Sequence, residues 1–488
     1  MVRRRFPIIW LIAALTGLSG CGSGRPPDGS PPSSPAPGGE VKEFHLSAAV
    51  SDWQLNGGSA IQAWAFNGQV PGPPLVVRAG DLVKVDFTNN LSQPTSVHWH
   101  GVAVPNAMDG TPEVTQKAIP PGGTFHYEFV APPTPGTYWY HSHFDEMTQV
   151  RSGLYGPLII KPREQAPAKE ATVMLSDYGT QPGASPTPVA ASASPAAGMG
   201  GMGGMGGMPG MSGTPAGMMG APQQPSDEAT AFLMNGKQYP ATPELDVRSG
   251  ERVRLRLINA SASADHFIRL DGQRFTVVAT DGHELPQPVS GVQLLRLGPA
   301  ERVDIEFTAD RPGVWALHCV IPEHLQRGMA MTIRVDGASG QPQIDQGDPR
   351  QLRLWAPDEP ASQAQPVRAD RTVDLQISGN MMGSSLWTLN GQTYPKVTPI
   401  EIKRGQHVLL RMTNMSMEPH PMHLHGMPFQ VLKVDGHPVA AATKDTVELG
   451  PMGSAEVLVK ADNPGTWLFH CHNLEHMMNG LATLIRVQ

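Results

Sequence analysis

The chain repeats one set of landmarks three times, and nothing else in it constrains the fold as strongly. Asn-Gly pairs stand at Asn67-Gly68, Asn235-Gly236 and Asn390-Gly391, each followed within a few residues by proline. A glycine (Gly80, Gly250, Gly405) then opens an alternating apolar stretch that ends nine residues later at Asn89, Asn259 or Asn414. Pro135-Gly136-Thr137-Tyr138, Pro312-Gly313-Val314-Trp315 and Pro464-Gly465-Thr466-Trp467 follow, each glycine five residues before His141, His318 or His470. A unit repeated at this scale outweighs local propensity. Short alternating runs between Gly, Pro and Asn turns predict an all-β chain of three tandem antiparallel sandwiches. With 53 glycines and 49 prolines in 488 residues, long helices are disfavoured. The expected divisions are 41–165, 166–340 and 369–488. Residues 341–368, rich in Gln, Pro and Asp, read as a connector.

Onto this frame the sequence places an unusual set of metal-binding side chains. His470-Cys471-His472 is followed four residues later by His476. A thiolate and imidazoles so spaced suit copper. On a strand, His470 and His472 share one face and Cys471 points to the other, so one tripeptide can serve two metal centres. Three further His-x-His pairs occur: His98-Trp99-His100, His141-Ser142-His143 and His423-Leu424-His425, the last preceded by His420. A single pair is most often a surface feature. Four pairs supply eight imidazoles, which packed together without metal would leave many polar groups wanting partners.

In this order the four segments resemble the ligand motifs of the multicopper oxidases, a family that includes laccases and bacterial cuprous oxidases. The resemblance runs from about residue 45 to the C-terminus. It implies three Greek-key domains of the cupredoxin type and four copper ions. A type 1 copper is expected on His420, Cys471 and His476, and a type 2 copper on His98 and His423. A type 3 pair is expected on His100, His141, His143, His425, His470 and His472. The implied reaction takes single electrons from Cu(I) or a phenolic donor at the type 1 site and passes four of them to dioxygen, giving water. Since the cluster ligands come from both ends of the chain, domains 1 and 3 are expected to meet around them. Asp109, nine residues after His100, matches the acidic residue that the family places beside the cluster for proton delivery.

Two departures from the cuprous-oxidase pattern stand out. The axial position, ten residues after Cys471, is Leu481, a non-coordinating side chain that should raise the copper potential. The carboxylate usual after the last ligand histidine is absent, Met477 standing in its place.

Aligning the repeats extends the reading to the middle domain. In domain 1, Ser142 and Met147 replace Cys471 and His476, so no type 1 site is expected there. In domain 2, Cys319, His324 and Met329 match Cys471, His476 and Leu481, and His266 falls opposite His420. This is a full blue-copper ligand set, an expected place for a fifth copper. The alternative is an ancestral remnant, with Cys319 a small buried apolar residue. Val320 and Arg269 replace two cluster histidines, so no second oxygen-reducing centre is expected.

Within domain 2, an insert at about 180–227 carries Met199, Met202, Met205, Met208, Met211, Met218 and Met219 among glycines. Thioethers suit Cu(I), and the tract resembles the methionine-rich inserts of copper-resistance oxidases; a low-complexity loop is the plain alternative. Met415, Met417, Met422 and Met427 crowd the loop of the expected type 1 site.

The N-terminus reads as an export signal over residues 1–21. Arg3-Arg4-Arg5 precedes an apolar run from Phe6 to Leu18, too short to span a bilayer. Leu18-Ser19-Gly20-Cys21 resembles a lipobox, with Cys21 the lipidated residue, and Arg3-Arg4 resembles a twin-arginine signal. Residues 22–40 form a Gly/Pro/Ser tether, so the expected location is the envelope, held to the membrane by lipid alone. Lipid and copper account for all three cysteines, and no disulfide framework is implied. A net charge of −7 without a dense basic stripe argues against nucleic acid as a partner. Three other classes remain for comparison: a non-catalytic copper-buffering lipoprotein, a copper nitrite reductase, and a relative that has lost its copper. Complete ligand motifs disfavour the first and third. A two-domain plan with one catalytic copper would leave most of the His-x-His pairs of the second unused.

Overall fold

The structure is a computed structural model that describes residues 34–58, 60–164, 169–179, 229–342, 344–345, 347–356, 368–379, 385–439 and 442–488. The expected export signal, Cys21 and the methionine tract lie outside these residues. Three β-sandwiches follow one another. In the first, a four-stranded sheet built on Val41–Trp53 and Leu82–Asn89 packs against a four-stranded sheet that includes His98–His100 and Gly136–His141. The second pairs two six-stranded sheets, and the third a seven-stranded with a five-stranded sheet. Each sandwich closes over its own apolar core.

The repeated landmarks do the same work in each domain. Asn67, Asn235 and Asn390 lie at φ of 52°, 51° and 52°, each followed by a glycine at φ of 72–73°. Two successive left-handed residues make the tight hairpin turn that Asn-Gly favours. Each asparagine side chain also accepts from a backbone N–H across the hairpin, from Ser47, Met174 and Gln376 at 2.7, 2.8 and 2.7 Å.

The connector is less separate than its composition suggests. Leu354–Trp355 adds a short parallel strand beside Leu294–Leu297 and so extends a sheet of the middle domain.

Domain seams are polar as well as apolar. Asn106 and Asn463 exchange hydrogen bonds between domains 1 and 3, to Thr466 O at 2.7 Å and Val104 O at 3.0 Å. A fourth apolar cluster, including Trp53, Trp139, Met174, Leu233, Ala262 and Leu474, joins all three domains.

Candidate metal centres

Strand pairing explains how the histidines come together. His98 sits opposite His141 in domain 1, and His423 opposite His470 in domain 3. These two ladders meet face to face at the seam. The His98 ring stacks on His425 with centroids 3.9 Å apart, and His100 stacks on His423 at 3.7 Å. All eight imidazoles of the four His-x-His pairs are buried.

Their hydrogen bonding shows what the cluster is suited to hold. The Nδ1 atoms of His98 and His423 lie 2.8 and 2.9 Å from the carbonyls of Asp109 and Asp445. Those of His141 and His470 lie 2.8 and 3.0 Å from the carbonyls of Ser142 and Cys471. With the proton on Nδ1, each ring presents a bare Nε2 lone pair. The Nε2 atoms of His98, His141 and His423, Nδ1 of His100 and both nitrogens of His472 have no partner among the described residues. The Nε2 atom of His425 lies 3.2 Å from that of His143 and 3.1 Å from that of His470. Lone pairs converging in a dry pocket are costly for protein alone, and a cation satisfies them. Burial holds the pKa of His100, His141, His425, His470 and His472 well below the usual histidine value, which keeps these rings neutral and able to ligate.

Carboxylates surround the imidazoles. Asp109 Oδ2 lies 3.0 Å from His425 Nδ1 and accepts from Thr111 Oγ1 at 2.6 Å. Burial pushes its carboxyl up, but the facing His425 and His98 outweigh that and hold it well below the usual range. Glu146 Oε1 lies 2.5 Å from His143 Nδ1. Burial opposes ionisation there too, yet His143 brings the Glu146 pKa down to about 2. Asp445 Oδ1 lies 3.2 Å from His100 Nε2 and 2.7 Å from Nη1 of Arg302, a fully buried guanidinium from domain 2. Lys444, equally buried, pairs with Asp281 and Glu301 at 3.0 and 3.1 Å.

The second centre lies within domain 3. Cys471 Sγ is 3.6 Å from His420 Nδ1 and 3.8 Å from His476 Nδ1, and the two nitrogens are 3.0 Å apart. Their other nitrogens are held by Ser416 Oγ at 2.9 Å and Glu418 Oε2 at 2.8 Å. The Asn473 side chain caps the short helix Leu474–Met478 by accepting from the N–H groups of Glu475 and His476, which fixes the His476 backbone. Trp387 packs on both rings, with centroids 4.6 and 4.5 Å away. Leu481 is buried in the same core as Cys471 and offers no donor atom. Burial pushes the Cys471 thiol up and the His420 imidazole down to about 3, so a thiolate here needs a cation beside it.

A soft thiolate with two imidazoles selects copper, and its two neighbouring residues reach straight into the imidazole cluster. The class so defined is the copper-dependent oxidases built from tandem β-sandwiches. Multicopper oxidase family profiles match residues 47–165, 215–339 and 366–488. A multicopper oxidase of Mycobacterium tuberculosis is 35% identical over 447 residues, covering 88% of this chain and 83% of that protein. A copper resistance protein A homolog of Pseudomonas syringae is 28% identical over 603 residues, covering 98% of each chain. Among solved structures, a multi-copper oxidase from Pseudomonas thermotolerans superposes with a TM-score of 0.71 at 27% identity, covering 92% of this chain and 99% of that one. A laccase from Botrytis aclada gives 0.72 at 25%, covering 92% and 88%. The chain belongs to the multicopper oxidase family. It is therefore a copper enzyme that uses dioxygen as electron acceptor.

The structure brings together the residues expected at the seam, at the domain 3 pocket and, in domain 2, His266, Cys319 and His324. Sequence reasoning missed Asp445, Arg302, Glu146 and Glu418. Glu146 and Glu418 gave the available signals, acidic residues three positions after His143 and two before His420. Arg302 and Asp445 are joined only by the fold. Of the methionines near the domain 3 pocket, Met422 and Met427 are core residues, whereas Met415 and Met417 are 46% and 77% exposed.

Proposed function

We propose that the enzyme oxidises Cu(I), in the service of copper tolerance, from the envelope face of the membrane. The observation that carries this reading is the surface around the Cys471 pocket. Met415, Met417, Met452 and Met478 are exposed there, 46%, 77%, 57% and 51%. Met452 is tied to the same loop by its N–H, which donates to Ser416 O at 2.9 Å. Exposed thioethers are soft ligands suited to a cuprous ion. Glu418, hydrogen-bonded to His476, adds a negative charge beside them. Relatives named copper resistance protein A in Pseudomonas syringae and Escherichia coli support the same direction. Phenolic donors are the second reading, favoured by the buried axial Leu481, which leaves the copper a stronger oxidant. The Cryptococcus neoformans relatives named laccase fit that reading.

In this scheme His420, Cys471 and His476 hold the type 1 ion, His98 and His423 the type 2 ion, and His100, His141, His143, His425, His470 and His472 the type 3 pair. When bound, copper supplies one-electron chemistry at the first site and four-electron reduction of dioxygen at the cluster. The chain fixes the ligand geometry and manages protons. Cys471 and its neighbours give a covalent route of a few bonds between the two centres. Asp109, a carboxylate beside His425, accepts a proton by way of the Thr111 hydroxyl that donates to it and hands it on to the cluster. Glu146, held against His143, brings a second carboxylate to the cluster from domain 1, where the position after His476 supplies none. We infer export through residues 1–21 with Cys21 as the lipidated residue and the methionine tract as a Cu(I)-handling insert.

The test is oxygen uptake by the full chain with Cu(I) and with a phenol, before and after deletion of residues 198–219. Selective loss of cuprous activity is the expected result. Equal rates on Cu(I) before and after deletion would show that the tract plays no part, and a chain indifferent to Cu(I) in both forms would leave the phenolic reading.

A further inference from the structure

The middle domain contains a pocket that the scheme above does not use. His266 Nδ1 lies 3.2 Å from His324 Nδ1, which lies 3.5 Å from Cys319 Sγ, and all three residues are buried. Much of the support around them matches that of the domain 3 pocket, though among the described residues no carboxylate stands against His324 as Glu418 stands against His476. Ser261 Oγ holds His266 Nε2 at 2.8 Å, as Ser416 Oγ holds His420 Nε2 at 2.9 Å. Cys319 N donates to Met329 O at 3.1 Å, as Cys471 N donates to Leu481 O at 3.0 Å. Phe232 stacks on His324 with centroids 3.9 Å apart, in the place where Trp387 covers His476. Cys319 faces Ile268 across the strand pair, as Cys471 faces Met422.

The three domains together show what happens to such a pocket when it is abandoned. In domain 1 the corresponding place is filled by Thr95, Ser142 and Gln149, hydrogen-bonded among themselves at 2.6–3.1 Å. Gln149, not the expected Met147, matches His476, because Leu154 N donates to Gln149 O as Leu481 N donates to His476 O and the domain 1 segment is two residues longer. Domain 2 has undergone that kind of replacement at its cluster positions only. There Arg269 and His318 flank Asp271 at 2.8 and 3.2 Å, an ion-paired group of unlike side chains, and Val320 stands in place of an imidazole. The adjoining thiol and two imidazoles keep their identity, their burial and the Ser261 and Met329 hydrogen bonds that support them. Phe267 N also donates to Cys319 Sγ at 3.4 Å, a hydrogen bond that Pro421 cannot make at the matching place in domain 3.

We propose that the middle domain holds a copper ion of its own, of the one-thiolate, two-imidazole kind, on His266, Cys319 and His324 with Met329 as axial neighbour. The enzyme then carries five coppers per chain, two of them type 1. The second site is closed from solvent and joined to the first by the chain itself: Leu474 N, between His472 and His476, donates to Ala262 O at 2.9 Å. Its axial thioether, against Leu481 in domain 3, sets it at a lower potential than its counterpart.

The test uses purified, copper-loaded full-length enzyme. Metal analysis should give five coppers, and spin counting should give two type 1 signals for each type 2 signal. Four coppers with one type 1 signal per type 2 signal overturns the proposal, whatever the behaviour of any variant. Cys319→Ser should lose one copper and one type 1 signal while the type 2 signal persists, and Cys471→Ser should lose the other. A Cys319→Ser protein with undiminished copper and blue absorbance overturns it equally. Loss of the type 2 signal in the wild-type protein would instead count against the seam cluster, so the two readings fail separately.

Discussion

Replacing Arg302 by methionine removes a fully buried guanidinium that spans domains, from the middle sandwich to Asp445 at the seam. Breaking a buried pair from one side costs about 3–5 kcal/mol, because the remaining charge loses its partner. Two carboxylates face Arg302, but Asp281 keeps Lys444 at 3.0 Å, so the exposed deficit falls on Asp445. Asp445 retains Thr446 Oγ1 at 2.9 Å, His100 Nε2 at 3.2 Å and His423 Nδ1 at 3.4 Å as side-chain partners, none of them a fixed cation. The lower end of the range, about 3 kcal/mol, is therefore expected in urea unfolding of the metal-free protein. A second effect follows at the cluster, since Asp445 orients both His100 and His423. Loss of such outer support weakens metal binding about 10–100-fold. A chelator titration followed through the type 2 signal measures this, with the type 1 absorbance as internal control, because neither Arg302 nor Asp445 touches Cys471. Adding Asp445→Leu to Arg302→Met removes the stranded charge and should recover most of the metal-free stability without recovering copper affinity. A single variant that unfolds within about 0.5 kcal/mol of wild type, as ordinary surface changes do, would refute the argument.

Two further substitutions address the chemistry. Asp109→Asn keeps the shape but removes a charge that His425 and His98 hold ionised; reoxidation of the reduced enzyme by dioxygen should slow about 10²–10⁴-fold while reduction by substrate is unchanged. Stopped-flow recording of the blue band separates the two phases, and an equal effect on both would contradict the assignment. Leu481→Met places a thioether beside Cys471 and should lower the type 1 potential; a redox titration that finds no shift would mean that the side chain at 481 does not reach the metal.

Most of the metal-binding architecture was legible in the sequence because it is written in short, periodic words. His-x-His on a strand fixes two rings on one face, and the Asn-Gly, Gly and Pro-Gly landmarks locate the strands that carry them. What periodicity could not reveal were solitary charges whose meaning is supplied by another domain. Asp445 lies 20 residues past His425 with no ligand motif around it, and Arg302 is one of many arginines until packing brings the two together. Glu146 is hidden in the sequence for a different reason. The family pattern places a second carboxylate after the last ligand histidine, on the domain 3 side, whereas the fold supplies one from the opposite side of the seam. The repeats worked best as internal controls, showing in domain 1 how a copper pocket disappears and in domain 2 how only half of one does.

The seam cluster takes its imidazoles from residues 98–143 and again from 423–472, so its two halves are synthesised almost a whole chain apart. A polypeptide stopped after the middle sandwich owns four of the eight nitrogen-bearing rings and can enclose nothing. On the proposed scheme, metallation of the seam cluster waits for the final strand pair to dock, and ions held there would clasp the first and last sandwiches like a buckle. Maturation and quaternary-like cohesion of a single chain are in this way the same event.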